Sequence, residues 1–420
     1  MLASAISSVY HKFPLPIRRQ ISGLKESCAR LAINMRLKTF RVDACLWGYE
    51  NGIPAASFAR MIGDIRRASR PISEWPHVML LRQYDSIGEN IWDPEIFAQT
   101  AYYQNAVLNI EIFCNFHGAV TPNQIQWGAR RFVAAYRGLE ILPLQEGEFY
   151  VRDSDEISVV PVKDSACYYV AEGHHRLAIA YMKGVKEVRG LILQPPVTTP
   201  LQDLLHDVLW LKGRRELYQP IDSPEVAGWT VVRRCSDRLA KITDFLRVEG
   251  FMPPASSSYL DVPSRYGWFV SKMAKEGFRA EGVERDPNAI TVGRLMYGLS
   301  SDQVRRADYI TLLRALQEKY DVTSCFSLAH HYILNHMNAS AEELLHLLDS
   351  ATRHVMFFDM GQSHEEIFSG RNFVGWDADH IHQWLEANTT FKRIVRLGAD
   401  EDAVPPNERN YGRMLFACLR

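Results

Sequence analysis

Apolar positions near the start of the chain recur every three or four residues: Ile17, Ile21, Leu24, Cys28, Leu31 and Met35. That spacing predicts an amphipathic helix. Between residues 1 and 42, Lys12, Arg18, Arg19, Lys25, Arg30, Arg36, Lys38 and Arg41 face a single acid, Glu26, so the back of this helix is cationic. Residues 43 to about 140 continue as a mainly helical pattern, with Asp93 as a cap and Pro94 in the first turn of one helix. The period then changes. Ile157–Val162 and Cys167–Val170 are β-rich and separated by Lys163-Asp164-Ser165, Arg176–Lys183 is helical up to Gly184, and Val188–Leu193 is a further strand. Pro195, Pro196 and Pro200 mark a linker. Pro200 suits a helix start and Gly213 its end. From Ser258 strands alternate with helices to the C-terminus, which predicts an α/β unit with a mostly parallel sheet.

Composition narrows the class. Of 420 residues, 47 % are hydrophobic and 23 % charged, which fits a globular chain rather than a disordered one. The length predicts two or three domains. A net charge of −1 excludes a basic nucleic-acid coat, although it averages a cationic first segment with a slightly acidic remainder. No apolar run reaches the 18 or so residues a bilayer span requires, and the N-terminus lacks the pattern of a secretory leader. Seven scattered cysteines with no C-x-x-C pair fit a reducing, cytoplasmic setting. The cationic segment 1–42 is expected either to pack on its neighbour or to touch an anionic membrane at its inner face.

Two stretches carry chemistry. In the first, Glu172-Gly173-His174-His175-Arg176 joins a strand to a helix. Glycine lets a ligand approach the backbone, the helix start offers free N–H groups, and the side chains add donors and positive charge, which suits a phosphate. The strand–Gly-His-His-Arg–helix–Gly184–strand unit resembles the ParB/sulfiredoxin-like fold over about residues 140–194. The resemblance implies that Gly173, His174, His175 and Arg176 bind nucleotide phosphates and that Glu172 stands near a metal ion such as magnesium or acts as a base. His174 replaces the cysteine of sulfiredoxins, so sulfinic-acid reduction is not expected, whereas Glu172 matches the acid of ParB-type serine kinases. Glu146, Glu148 and Asp155 remain open as a second kinase acid.

In the second, Tyr259-Leu260-Asp261-Val262-Pro263-Ser264-Arg265-Tyr266-Gly267-Trp268 leads from a strand into a helix, and a second strand ends at Glu284, 23 positions beyond Asp261. A carboxylate at that spacing accepts ribose hydroxyls in a Rossmann-type crevice. These residues resemble class I S-adenosylmethionine-dependent methyltransferases, with Asp261, Pro263, Arg265 and Gly267 in place of their acid-x-Gly-x-Gly-x-Gly motif. The resemblance implies a Rossmann-like fold over residues 256–420. Asp261, Arg265, Gly267, Trp268, Glu284 and Ser327 would then hold the cofactor, with Tyr320–His331 as fourth strand, Val355–Asp359 as fifth and Tyr411–Ala417 as an antiparallel last strand. The Asn/Asp-Pro-Pro-aromatic motif of nucleic-acid amino-methyltransferases is replaced by Ser327-Leu328-Ala329-His330, which argues against base methylation. His330, with His331, His336 and His364 as alternatives, is a candidate base for O-methylation.

The resulting expectation is a multi-domain α/β enzyme. Its parts are a basic helical region (1–90), a ParB/sulfiredoxin-like domain (91–194), a helical linker (195–255) and a methyltransferase domain (256–420). It would use S-adenosylmethionine, and ATP or another nucleotide, on a glycan, lipid-linked or small-molecule acceptor in surface polysaccharide or lipopolysaccharide assembly. Glu172, His174 and His330 would be catalytic. The alternatives are a methyltransferase with a regulatory nucleotide domain and a ParB-like DNA-binding protein, the latter disfavoured by the balanced charge. No metal site of the protein's own is expected: His380 and His382 lie two apart on a predicted helix and diverge, and Asp379 is read as that helix's cap.

Overall fold

The computed structural model describes residues 37–48, 53–138, 156–208, 215–253, 257–334, 336–371 and 373–420. The apolar stripe Ile17–Met35, most of the cationic segment 1–42 expected to pack on its neighbour or touch a membrane, the acids Glu146, Glu148 and Asp155, and Gly213 lie outside these residues. The chain divides into two units, Met1–Pro200 and Leu201–Arg420.

In the first unit, a five-stranded sheet has the order β1-β5-β3-β4-β2, comprising β1 (Leu37–Arg41), β2 (Cys45–Leu46), β3 (Ser158–Pro161), β4 (Tyr168–Glu172) and β5 (Glu187–Ile192). The expected strand–turn–strand–helix–strand order is present. Hairpin β3/β4 is antiparallel, helix α6 follows, and β5 returns parallel to β3. The helices are α1 (Ala55–Met61), α2 (Pro76–Ile87), α3 (Pro94–Ala98), α4 (Ala101–Phe113), α5 (Pro122–Arg137) and α6 (His174–Met182). Asp93 caps α3, accepting from Glu95 N–H at 2.9 Å, and Thr121 with Gln124 forms a capping box on α5.

The expected boundary at residue 90 is corrected. Leu37–Arg41 is an edge strand paired antiparallel with β5. Buried Phe40, Trp75, Leu81, Tyr102 and Phe132 share one apolar cluster with Val159, Val170 and Leu177. Residues before and after position 90 therefore bury the same core and cannot be separate domains.

In the second unit, a seven-stranded sheet runs β10-β9-β8-β11-β12-β14-β13. Its strands are β8 (Ser258–Asp261), β9 (Arg279–Glu284), β10 (Val304–Arg306), β11 (Tyr320–Phe326), β12 (Thr352–Asp359), β13 (Arg393–Ala399) and β14 (Met414–Leu419). A two-stranded ladder, β6 (Glu216–Leu217) with β7 (Thr230–Val231), stands apart. The neighbouring strands from β10 to β12 pair in parallel, while β14 runs antiparallel to both β12 and β13. The helices are α7 (Pro200–Val208), α8 (Ser236–Val248), α9 (Trp268–Lys275), α10 (Pro287–Tyr297), α11 (Tyr309–Ala315), α12 (Ala329–Ile333), α13 (Ala341–Ala351) and α14 (Ala378–Asn388).

β12 is apolar at successive positions because both of its faces are covered. Met356 and Phe358 join one cluster with Leu345, Leu348 and Leu385, whereas Val355 and Phe357 join another with Ile242, Phe269 and Met273. This also corrects the linker reading. Ile242 and Leu246 of α8 pack on the sheet, and Leu201, Leu205 and Trp229 pack with Tyr266 and Val292, so residues 201–253 are part of the second unit. The cap of α14 is Asp377, whose carboxylate accepts from Asp379 and His380 N–H. Asp379 instead pairs with Arg396 at 2.7 Å.

Candidate functional site

From β8 the chain moves outward to β9 and β10 on one side, then crosses to β11 and β12 on the other. The strand order reverses between β8 and β11, and in open α/β sheets the ligand crevice lies at the carboxyl ends of such strands. Asp261 ends β8, Glu284 ends β9 and Asp359 ends β12. All three are at least 97 % shielded from solvent.

The turn from β8 to α9 is held from several directions. Ser264 N–H donates to the Val283 carbonyl at 2.9 Å. Gln219 Oε1 accepts from Tyr266 N–H at 3.0 Å, and its amide donates to the Ser264 carbonyl at 3.4 Å. Arg265 takes a left-handed conformation, φ 52°, and its N–H donates to Glu284 Oε2 at 3.0 Å. Its guanidinium donates to the Val208 carbonyl at 2.5 Å and Asp286 at 3.3 Å, and lies over the Tyr218 and Tyr266 rings. At Gly267, φ is 77° and a Cβ would come within 2.5 Å of Leu299, so a glycine is required there. Buried Trp268 begins α9.

The two acids differ in what satisfies them. Asp261 Oδ1 accepts from Ser324 Oγ at 2.6 Å, and Ser324 is bonded in turn to the Tyr259 hydroxyl, also at 2.6 Å. Asp261 Oδ2 has no hydrogen-bond partner among the described residues. Burial, with Glu284 adding repulsion, lifts the Asp261 carboxyl to about 7 despite the Ser324 bond. Glu284 Oε1 accepts from Arg285 and Asp286 N–H, each at 2.9 Å, and from the Tyr309 hydroxyl at 3.3 Å. Burial raises this carboxyl too, against those donors.

Beyond β11 and β12 lies a buried ionic network. Arg233 pairs with Asp359 (3.3 Å), Asp400 (3.0 Å) and Asp402 (3.3 Å), and Arg238 with Asp359 (2.9 Å) and Asp402 (3.1 Å). Arg413 forms a bidentate pair with Glu365 at 2.8 and 2.7 Å and donates to Ser327 Oγ at 2.9 Å. Ser327, at φ 56°, donates its N–H to Asp359 Oδ1 at 2.8 Å. Burial raises the Asp359 carboxyl, but Arg233, Arg238 and Arg413 more than offset this and hold it below the ordinary range. His330 is buried, and its Nδ1 accepts from Gly361 N–H at 3.1 Å. Burial, with Arg413 nearby, keeps it neutral far below its ordinary range.

In the first unit, Gly173 (φ 103°) begins α6, with Glu172 and Arg176 exposed on either side. His174 packs against Trp47 and Trp75, and its Nε2 is shut from solvent with no partner among the described residues. His175 Nε2 is 3.0 Å from the Tyr102 hydroxyl. Burial lowers His174 to about 3 and His175 well below its ordinary value, so both rings are neutral and face an aromatic interior. Only the backbone turn, Glu172 and Arg176 face outward in the way a solvent-borne phosphate would meet them.

No protein-family model matches the chain, and no curated protein matches it. Among solved structures, it is similar to the bifunctional kinase-methyltransferase WbdD at 21 % identity and TM-score 0.40, over 52 % of this chain and 46 % of that one. It is also similar to a SAM-dependent methyltransferase from Archaeoglobus fulgidus at 15 % identity and TM-score 0.32, over 44 % of this chain and 95 % of that one. A third is magnesium protoporphyrin IX methyltransferase from Synechocystis PCC 6803 with bound SAM, at 14 % identity and TM-score 0.31, over 44 % and 78 %. The chain spans less than half the length of the WbdD structure. The strand order itself, with its antiparallel β14, carries the assignment. The C-terminal unit has a Rossmann-like α/β fold.

In this unit, the residues singled out from sequence fall into two groups. Asp261, Arg265, Gly267, Trp268 and Glu284 gather at the turn between the first two strands of the crevice. Ser327 and His330 stand at the end of β11, tied to Asp359, Gly361 and Arg413. Their donor set fits S-adenosylmethionine: Asp261 Oδ2 is a buried acceptor with no partner among the described residues, and the longest bond that Glu284 accepts comes from a side-chain hydroxyl, that of Tyr309. Arg233, Arg238, Arg413, Glu365, Asp400 and Asp402 escaped the sequence reading. The signal was faint, a basic cluster at 233–238 and acids at 400–402, and only the fold pairs them.

Proposed function

We propose that the protein transfers a methyl group from S-adenosylmethionine to a hydroxyl of a glycan or lipid-linked acceptor. In this reading the first unit binds a nucleotide through the Glu172–Arg176 turn and phosphorylates the same acceptor. What carries the methyltransferase reading is the pair Asp261 and Glu284, two buried carboxylates at the ends of adjacent parallel strands on either side of a left-handed turn. When bound, the cofactor supplies an electrophilic methyl group on a sulfonium centre.

The chain's own residues do the rest. Glu284 takes a ribose hydroxyl, Asp261 Oδ2 takes an N–H of the cofactor's amino group, and the Val262–Gly267 turn fixes the approach. Arg233, Arg238 and Arg413 hold the Asp359 carboxyl ionised, and the ion pairs around it keep the walls of the crevice in one geometry. His330 accepts from Gly361 N–H at Nδ1, so its neutral ring carries the proton on Nε2 and orients the acceptor oxygen by donating to it, while the hydroxyl's proton leaves to solvent. At the first unit, Arg176 and the N–H groups that open α6 suit phosphate oxygens. The cationic segment 1–42 supports contact with an anionic membrane surface. No helix among the described residues is long and apolar enough to cross a membrane.

The test is calorimetric titration of the full chain with S-adenosylmethionine, ATP, CTP and ADP separately, followed by incubation with both labelled donors and glycan acceptors. Binding of S-adenosylmethionine that is weakened in Glu284→Ala, together with methyl label on the acceptor, supports the reading. Absence of any S-adenosylmethionine binding overturns it. Methyl transfer that persists in Glu172→Gln, with no phosphoryl transfer by the wild type, reduces the first unit to a regulatory nucleotide domain.

A further inference from the structure

We propose that His77, His117 and His175 form a binding site for one divalent transition-metal ion of the zinc class. The three imidazoles come from three separate elements. His77 sits in the first turn of α2, His175 in the first turn of α6, and His117 in the connection between α4 and α5. One ring nitrogen from each lies within 4.8 Å of the others. The His77 and His175 rings are 4.4 Å apart between centroids, and those of His117 and His175 are 5.1 Å apart.

Two independent features point to a ligand. The first is His77. It is 2 % exposed, yet neither ring nitrogen has a hydrogen-bond partner among the described residues. An imidazole can be neutral in a core, but leaving both nitrogens unsatisfied forfeits the hydrogen bonds it had in water with nothing in return. Metal coordination at one nitrogen removes half of that deficit. The second is the backbone at His117. Phe116 and Ala119 exchange N–H to carbonyl bonds at 2.8 and 2.9 Å across a two-residue turn in which His117 (φ 48°) and Gly118 (φ 85°) are both left-handed. Such a turn prefers Asn or Gly at its first central position, so a histidine is held there at a conformational cost.

The surroundings specify the ion. Imidazole nitrogen suits zinc, nickel, copper or iron, whereas magnesium wants oxygen ligands and retains its water. This ion is therefore distinct from a magnesium accompanying a nucleotide. Tetrahedral zinc with bonds of about 2.0–2.1 Å needs nitrogens about 3.3 Å apart, which small rotations of the exposed His117 and its partners supply. The Tyr102 hydroxyl, 3.0 Å from His175 Nε2, supplies the orienting contact that ligating histidines ordinarily have. Phe116, Phe132 and Trp75 enclose the cluster in apolar surface, and the Arg67 guanidinium, stacked on Trp47 and Phe58, is the cation that faces His77. Three histidines leave a fourth position for water or an anion, beside the Gly173 turn.

The experiment uses the full chain carrying no histidine tag, stripped with a chelator and titrated with Zn2+ against a chromophoric competitor, then with Co2+. One ion per chain and a visible Co2+ absorption of tetrahedral strength are expected. His117→Asn changes an exposed residue, so it should fold as wild type by circular dichroism while binding at least tenfold more weakly. His175→Gln should do the same, and Mg2+ should not compete. Zn2+ should raise the melting temperature of the wild type but not of His117→Asn. Wild-type binding no tighter than that of folded His117→Asn, or binding lost only in His380→Gln or His382→Gln, overturns the proposal.

Discussion

The Tyr309 hydroxyl donates to Glu284 at 3.3 Å, the longest of four bonds that this buried carboxylate accepts. Three of these donors crowd Oε1, while Oε2 accepts only from the Arg265 N–H, so Oε1 has no lone pair to spare. A ribose hydroxyl that approaches Oε1 must displace one donor, and the only one of the three not fixed in the backbone is Tyr309. Tyr309→Phe vacates that site without opening a cavity. S-adenosylmethionine should therefore bind several-fold more tightly to Tyr309→Phe, since one hydrogen bond contributes about 0.5–1.5 kcal/mol. Unchanged or weaker binding in calorimetry would show that the ribose is held elsewhere.

Asp261 gives a pH dependence whose sign is fixed by its environment. Its folded value of about 7 lies above the ordinary 3.8. The folded chain thus holds a proton that the unfolded chain releases, and this contribution is complete below about pH 4. It is lost as pH rises through about 7. Urea midpoints of the wild type should fall relative to those of Asp261→Asn between about pH 4 and 7 and level off above it. A difference that is flat across this range would mean that Asp261 is already ionised.

The network around Asp359 should be intolerant of deletion. Arg238→Leu leaves Asp359 and Asp402 without one of their buried cations, which costs about 3–5 kcal/mol. Removing exposed Arg247, paired with Asp244 at 2.6 Å, should cost under about 0.5 kcal/mol. Thermal melts of the two variants decide this. Comparable small shifts would mean that the buried charges are solvated from within.

Two helical glycines should respond oppositely to the same change. Gly128 in α5 has open space where a Cβ would go, so Gly128→Ala should stabilise by up to about 1 kcal/mol. A Cβ on Gly293 in α10 would fall 2.3 Å from the Tyr266 carbonyl. Gly293→Ala should therefore push on the Ser264–Gly267 turn, lowering both stability and cofactor affinity. Equal effects in denaturation would show that the turn yields freely.

Much of the architecture was legible locally. Alternating and continuous apolar runs marked the strands, and prolines and glycines marked their ends: helix Trp268–Lys275 stops before Gly277 as its sequence requires. The strand-end acids Asp261 and Glu284 followed from spacing, as did the strand–helix–strand order around Gly173. All of these depend on interactions within a few residues, which periodicity and turn chemistry encode.

What the fold alone decided are meetings between distant positions. Phe40 packs with residues of the β3–β5 sheet, so residues 37–137 and 156–192 share a core. Arg233 and Arg238 find Asp359, Asp400 and Asp402 across the unit. His77, His117 and His175 converge from two helix starts and a turn. A sequence records which residues favour burial or charge, but burial is collective: which element covers which face depends on the packing of the whole unit, and so do the partners of every buried charge.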